Sequence, residues 1–481
     1  MSRPQRNGLI VALIMGMVMA GLILALWPGD DQPPQPGPSE RATRQQVRQE
    51  ALLPHDLRTI PQDLAPLARA FTASLSGDQE QHLRRRFQTH HFAPWTATAP
   101  RFTAASVEER NQQLAAGTWY GENRQQVEPE RLRQVVNLTD WERFPTMDQA
   151  GVVIKPALLR VLPTIRPLYE APDDFPFDHL QFAEIKPQEP VRILHTSRDG
   201  AWLYIETSTV NGWVEPEAVA LADATVRQRL TQAEHLVIVR DFATVRTMPG
   251  RTLAAQAKIG TLYPLVAQEA DHWVVDAAVA GVDQQATFTR AYIAKDDARR
   301  HPLAFTPENL TLIGNELLKT PYGWGEVFRN RDCSATTRDF FLAFGLWLPR
   351  NSHQQINAGP FLPLAGLSGS DKLRTIREQG IPFRTLLYLP GHIMLYVGLA
   401  KGTPLVVHTT WGLRYTPADG PENKYIIGRT VVSSLELGKE WPLTKGTLLK
   451  RLEGMLPLPV VETATGGGQL PGGKEEAPPA P

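Results

Sequence analysis

The chain has 481 residues, enough for about three domains. Its 50 Lys and Arg balance 50 Asp and Glu, so it lacks the clustered positive charge with which nucleic-acid binders attract phosphate. A single cysteine, Cys333, excludes an intrachain disulfide and any metal site built from several thiolates.

At the N-terminus, Arg3 and Arg6 precede an uncharged run from Gly8 to Trp27, 20 residues long. As a helix that length crosses ~30 Å of hydrocarbon. No small-x-small cleavage site closes the run and no lipobox cysteine follows it. Residues 1–28 therefore read as a signal anchor, with a cleaved signal peptide as the alternative. The arginines before the run and Asp30-Asp31 after it put the N-terminus inside, so the body is expected to be exported.

Residues 29–50, rich in Pro, Gln and Ser, read as a linker. Over 51–145 a small helical domain is expected, because Leu64, Leu67, Phe71 and Leu75 recur at helical spacing. The aromatic stretch His91 to Trp95 continues it. From about 150 the pattern turns to short β-rich runs: Val191–His195, Trp202–Ile205 and Gly212–Val214. A second series comprises Leu236–Val239, Thr261–Leu265, Trp273–Val275 and Ala291–Ala294. Strands at such intervals suggest small barrels or sandwiches, here as a loose duplication over 146–225 and 226–300. The stretch 456–481, with Gly466-Gly467-Gly468 and a final Ala-Pro run, reads as a disordered tail.

Between these lies 301–455, where the chemistry concentrates. The segment Asp332 to Gly345 opens with polar residues, places Phe340, Phe341 and Phe344 on one face, and closes with a glycine suited to a helix C-terminus. Cys333 then falls at or next to the N-cap, where free N–H groups and the helix dipole favour a thiolate. An inert buried thiol is the competing reading. Further on, Leu386–Gly398 and Leu405–Thr409 read as a strand pair. A hairpin centred near Ala400 would set His392 and His408 directly opposite each other, eight residues from the turn on either side. A base, a polar residue that orients it and a nucleophile on a facing helix make a catalytic triad. Two histidines and a cysteine are also a zinc ligand set, although a cysteine at a helix start suits a nucleophile better.

Four stretches carry a resemblance: Pro321-Tyr322-Gly323-Trp324-Gly325, Asp332-Cys333-Ser334, Leu348 to Gln355, and Gly391 to Gly398. Together they resemble the NlpC-type cell-wall cysteine peptidases. The duplicated β region resembles the paired bacterial SH3-like domains that precede this peptidase in one branch. Residues near 50 to 140 resemble that branch's N-terminal domain. The resemblance implies a multidomain chain: an N-terminal membrane segment, a small helical domain, two SH3-like β-barrels and a C-terminal papain-like α+β catalytic domain. It further implies hydrolysis of the bond between γ-D-glutamate and the diamino acid of peptidoglycan stem peptides. Cys333 would be the nucleophile, His392 the base and His408 its orienting partner. Tyr322, Asp332, Ser334, Asn351 and Ser352 would bind substrate, with helix capping as the plainer role for Asp332 and Ser334.

Two departures from that family stand out. Ala335 replaces a common glycine after Asp-Cys-Ser, which tightens the approach to the helix start. Asn351 replaces an aspartate that in relatives meets the free amine of an N-terminal L-alanine, which puts strict free-amine selection in doubt. The segment Phe175 to His179 is a candidate wall of the cleft. The expected partners are stem peptides or muropeptides and, through residues 8–27, inner-membrane lipid. No nucleic acid, metal or cofactor is expected, and the chain is expected to be a monomer on the periplasmic side. A catalytically silent murein-binding module, or an acyltransferase or amidase using the same triad, are the alternatives.

Overall fold

The computed structural model describes residues 53–458, apart from 74, 248–252 and 360. The expected membrane segment, Gly8 to Trp27, the linker and all but the first three residues of the expected tail lie outside the described residues. Among the described residues no helix is long and apolar enough to cross a membrane.

Six short helices come first: α1 (His55–Thr59), α2 (Ala65–Arg69), α3 (Gly77–His91), α4 (Ala93–Thr96), α5 (Ala104–Ala116) and α6 (Pro129–Leu138). Ser76 starts α3 with a reciprocal capping box to Gln79, satisfying two N–H groups that the helix leaves free. Of Leu64, Leu67, Phe71 and Leu75, expected at helical spacing, only Leu67 lies inside a helix, because the helical run breaks between α2 and α3. The apolar residues in and beside these helices do not close a core of their own. Leu64, Ala68, Phe71, Leu83 and Phe87 join a single buried cluster with Phe340, Phe341, Ile393 and Val407. Phe92 instead packs with Val152 and Ala220 of one sheet and Ala278 and Ala286 of the next.

Two antiparallel sheets follow. The first holds β1 (Gln149–Val153), β2 (Ala157–Arg160), β3 (Gln181–Ile185), β4 (Pro190–Thr196), β5 (Leu203–Glu206), β6 (Asn211–Val214) and β7 (Val219–Leu221), in the order β3-β2-β6-β5-β4-β1-β7. Helix α7 (Ala224–Gln232), capped by Asp223, leads into the second. That sheet holds β8 (His235–Ile238), β9 (Ala243–Arg246), β10 (Leu253–Ala257), β11 (Leu262–Gln268), β12 (His272–Ala280), β13 (Ala286–Ala294) and β14 (Ala298–Arg300). Its order is β10-β9-β13-β12-β11-β8-β14. Counted from its own first strand, the second order is identical to the first. The duplication extends to strand pairing.

The last region begins with α8 (Pro307–Leu317), α9 (Cys333–Ala343), α10 (Ser352–Ile356), β15 (Leu362–Pro363) and α11 (Gly369–Gln379). It continues with β16 (Thr385–Leu389), β17 (His392–Ala400), β18 (Thr403–Tyr415), β19 (Asn423–Ser434), α12 (Leu448–Arg451) and β20 (Gly454–Pro457). The sheet order is β15-β20-β16-β17-β18-β19. Strand β20 and Leu458 overrun the expected start of the tail at 456, because Leu456 and Leu458 are buried in the core. The outer strand β19 is not left bare. The Gln62 side chain pairs with Val432 both ways, donating to its carbonyl at 2.9 Å and accepting its N–H at 2.8 Å. Asp56 accepts the Ser434 N–H at 2.7 Å. These side chains saturate backbone groups that an open edge would offer to other chains.

Buried ion pairs lock both sheets onto α9 and the loop before it. Lys186 reaches Asp339 at 2.8 Å, and Lys258 reaches Glu184 at 2.7 Å. Arg331, fully buried, joins Asp241 to Asp339. Glu326 is fully buried; burial alone would raise its carboxyl, but Arg338, Arg350 and Lys186 outweigh that and hold it down at about 2. Removing one partner from such a pair strands a charge and costs about 3–5 kcal/mol.

Candidate active site

Helix α9 starts where the sequence places it. Asp332 is the N-cap and accepts the Ala335 N–H at 2.8 Å, so Cys333 is the first helical residue. Phe340, Phe341 and Phe344 bury the core-facing side. Gly345 follows the cap residue with φ +73°, and a Cβ there would sit 2.7 Å from Pro302 Cβ.

The start of α9 is held by more than its cap. Arg350 donates to Asp332 at 2.6 and 3.1 Å and to Ser334 Oγ at 2.9 Å, and Ser334 Oγ donates to Asp332 at 3.1 Å. The Gly325 N–H adds another bond to Asp332 at 3.1 Å. Gln355 donates to the carbonyls of Ser334 and Pro349 and accepts from Thr337. Asp332 and Ser334 line the cleft, yet their polar atoms are already engaged in holding the helix start. Ala335 is fully buried in this support.

The expected thiolate does not follow from the helix start. Burial pushes the Cys333 thiol up to about 12, and the Asp332 carboxylate adds to the rise; the backbone amides of Ile393 and Ser334 and the Arg350 charge only partly oppose it. The physical reason is burial first; the Asp332 cap then puts a negative charge beside the sulfur. The resting group is a thiol.

The histidines meet, but not directly across the ladder. The turn of the hairpin is Lys401-Gly402, both at positive φ, as a two-residue type I′ turn requires. Its centre therefore lies past Ala400, with Ala400 opposite Thr403. A bulge at Val397 shifts the register to Leu395 opposite Val407. His408 then stands across from Met394, and His392 is its diagonal neighbour on the same face, within reach of a long side chain. His392 Nε2 and His408 Nδ1 are 2.8 Å apart.

A third group extends the chain and decides the tautomers. Ser433 Oγ donates to the Ser434 carbonyl at 2.9 Å and stands 3.0 Å from His408 Nε2. With its proton so committed, the hydroxyl accepts from His408 Nε2–H. His408 Nδ1 is then a bare acceptor, and His392 must donate to it from Nε2. That leaves the lone pair of His392 Nδ1 free. Burial lowers His392 to about 3, with Arg451 contributing; burial and the neighbouring His392 hold His408 well below the usual range. Both rings are neutral at ordinary pH.

Cys333, His392 and His408 open on one cleft, which Tyr322, Asn351, Ser352, Trp411, Arg414 and Arg451 also line. Its opposite wall comes from the first sheet and its β2–β3 loop, through Val161, Phe177, His179, Gln181 and Phe182. Phe177 makes edge contacts with Tyr322 and Trp411 at 6.4 Å, and Phe175 with Trp411 at 6.2 Å. The expected wall segment is thus in place. Tyr322 stays a neutral phenol: burial raises it well above its ordinary value, with Asp332 and Cys333 adding. Asn351 caps α10, its amide oxygen accepting the Gln354 N–H at 2.8 Å. One lone pair of that oxygen is therefore already engaged in the cap. Among the described residues, the candidate metal cluster is Glu170, Asp174 and His179, with donor atoms within 4.8 Å of one another. It includes none of the three catalytic candidates, and His179 stands 3.3 Å from Glu170, an ion pair when protonated.

Sequence reasoning missed Ser433, Arg350, Gln355 and Arg451 as site residues. Arg350 and Gln355 lie inside a quoted motif without a role. No spacing rule singles out Ser433, 25 residues beyond His408.

Residues 319–428 match the model of the NlpC/P60 family. The chain carries an NlpC/P60 domain. Residues 22–144 match the NLPC_P60 stabilising N-terminal domain, and residues 167–215 match an SH3 domain of the SH3b1 type. The comparison with curated proteins gave no significant match. Among solved structures, this chain is similar to a novel NlpC/P60 endopeptidase from Photobacterium damselae subsp. piscicida. The TM-score is 0.74 at 18% identity, over 83% of this chain and 97% of that one. An NlpC/P60 family protein from Bacillus cereus ATCC 10987 gives a TM-score of 0.44 at 14% identity, over 64% of this chain and all of that one. The first likeness extends the shared fold beyond the NlpC/P60 domain, to the sheets and helices before it.

Proposed function

We propose that this NlpC/P60 chain is a cysteine endopeptidase that hydrolyses the γ-D-glutamyl–diamino acid bond of peptidoglycan stem peptides. Membership of the NlpC/P60 family supports cell-wall peptidase chemistry. The observation that carries the triad is the Ser433–His408–His392 hydrogen-bond chain, which leaves one imidazole lone pair free in the cleft that holds the Cys333 thiol.

In this reading His392 Nδ1 takes the Cys333 proton as sulfur attacks the scissile carbonyl. The group at rest is a thiol beside a neutral imidazole, so transfer accompanies attack rather than preceding it. His408 holds the ring and steadies the imidazolium that forms. Collapse of the tetrahedral species expels the diamino acid's amine, which takes the proton from His392 and leaves a thioester on Cys333. Water, deprotonated by His392, then hydrolyses the thioester. Tyr322, a neutral phenol at the cleft, is placed to donate to the developing oxyanion. Asn351 and Ser352 face the acyl half of the substrate, and the aromatic wall of the first sheet restricts the cleft to short, trimmed peptides. The reaction belongs outside the cytoplasm, where its substrate is, which is the role we give residues 8–27 as signal anchor or signal peptide.

The test is digestion of defined muropeptides followed by mass spectrometry. Products split between D-glutamate and the diamino acid are expected. Cleavage confined to other bonds, or none with folded protein, overturns the reading.

A further inference from the structure

Beside His392 stands a cation that the mechanism above does not use. Arg451 ends α12, is half-buried and lines the cleft. Other arginines around the site are engaged: Arg350 holds Asp332, Arg338 holds Glu326 and Asp339, and Arg414 faces Glu422. The Arg451 guanidinium has no hydrogen-bond or ion-pair partner among the described residues. Burial lowers its pKa and no carboxylate counters the loss. A partly desolvated guanidinium without an anion is an unfavourable arrangement for the free protein, and it ends when a carboxylate with two oxygens docks against the planar fork.

Its position selects which carboxylate. Arg451 and His392 line the same cleft, and the Arg451 charge bears on that ring. A general base returns its proton to the leaving amine, so groups beside the base face the leaving half of the substrate. Resting on the peptidase reading above, we propose that Arg451 is a specificity-determining residue that takes a carboxylate of the leaving diamino acid. Meso-diaminopimelate offers two such groups, one on its side chain and, when terminal, its α-carboxylate. L-Lysine lacks the first.

The test compares kcat/KM of the full chain and its Arg451→Gln and Arg451→Lys variants on three peptides. These are L-Ala-γ-D-Glu-meso-diaminopimelate, the same peptide with its α-carboxylate amidated, and L-Ala-γ-D-Glu-L-Lys with its α-carboxylate amidated. The Arg451 guanidinium bonds no other described side chain, so a melting temperature little changed is expected in both variants. Arg451→Gln should cut the diaminopimelate-to-lysine ratio of the amidated pair by about tenfold to a hundredfold, the worth of a charged hydrogen bond. Arg451→Lys, which keeps the charge without the fork, should recover part of that loss. If the large loss falls instead on the ratio of free acid to amide, the α-carboxylate is the group bound and the proposal stands. An equal fall on all three peptides means that Arg451 acts only through His392, which overturns it. Unchanged ratios overturn it as well while leaving the peptidase reading intact. Failure of the wild type to split any of the three peptides overturns that reading, and this inference with it.

Discussion

The two antiparallel sheets share one strand order and do different work. Residues of the first line the candidate cleft: Val161, Phe177, His179, Gln181 and Phe182. No described residue of the second does. Its contribution is the buried charge that holds the catalytic region, with Asp241 on Arg331 and Lys258 on the shared Glu184. The difference lies in a loop rather than in the pairing. Between β2 and β3 the first sheet inserts residues 161–180, which carry the aromatic wall. A common topology thus supplies a scaffold twice, and one long connection turns one copy into part of a binding site.

Testing that division needs a baseline in which chemistry is lost with both sheets intact. Cys333→Ala should supply it. On the proposed mechanism, removing the nucleophile costs about a millionfold in kcat, and melting should fall little, because one sulfur atom is removed from a partly buried position against the core. Residual turnover near wild type would end the cysteine mechanism.

The second sheet should answer in stability. Lys258→Met removes the cation from a pair that is about 1% exposed on both sides. Glu184 keeps Arg329 at 2.8 Å, so the loss should fall at the lower end of the 3–5 kcal/mol that a broken buried pair costs. Denaturant unfolding measures it. kcat/KM per folded molecule should stay within about twofold; a larger fall would mean that the second sheet shapes the cleft after all.

The hydrogen-bond chain should answer in rate and in pH profile. Ser433→Ala frees His408 to adopt the other tautomer, which turns an N–H toward His392. A fall in kcat of about tenfold or more is expected, with KM little changed. In the proposed mechanism, His392 is the active base when neutral. Its pKa is lowered to about 3, so it stays neutral as pH falls through the ordinary histidine range and charges only near that value. The acid limb of kcat/KM should therefore lie below pH 5 rather than near 6.5. A limb at 6.5 would mean that the cleft is wetter than its geometry implies.

What the sequence disclosed and what it withheld divide along chain separation. The start of α9, its phenylalanine face and Gly345 are all local and stand where spacing puts them. The strands richest in large apolar residues, β4, β5, β8, β11 and β12, are where the pattern shows them. The short β1 and β7 left no comparable mark, and in β3 the buried Gln181 and Glu184 break the apolar pattern. The His392–His408 pairing was visible, yet its geometry was not, since the bulge at Val397 has no signature in the chain. Contacts across hundreds of residues, such as Gln62 with Val432, were out of reach. Between the two readings of Cys333, thiolate or buried thiol, local spacing could not choose, because burial, and after it the Asp332 charge, is what raises the group.

The smallest expected effect is the sharpest test of the comparison, because each sheet offers an exposed phenylalanine. Phe175, 55% exposed, leans on Trp411 across the cleft; Phe242, 45% exposed, lies 5.2 Å from the Arg329 guanidinium. Truncating either to alanine should cost about 1 kcal/mol of stability or less, the worth of one exposed aromatic or cation–π contact. Their effects on substrate should differ. Phe175→Ala removes part of the wall that excludes bulk, so the ratio of kcat/KM for a muramyl-bearing peptide to that for the trimmed tripeptide should rise about threefold to tenfold, the discrimination expected of one pocket contact. Phe242→Ala should leave that ratio unchanged, since its partner lies in the anchoring network. The opposite outcome, a shift from Phe242 and none from Phe175, would move the specificity wall to the second sheet. Equal shifts would mean that both copies act through the stability of the interface, and that the β2–β3 loop carries no selectivity of its own.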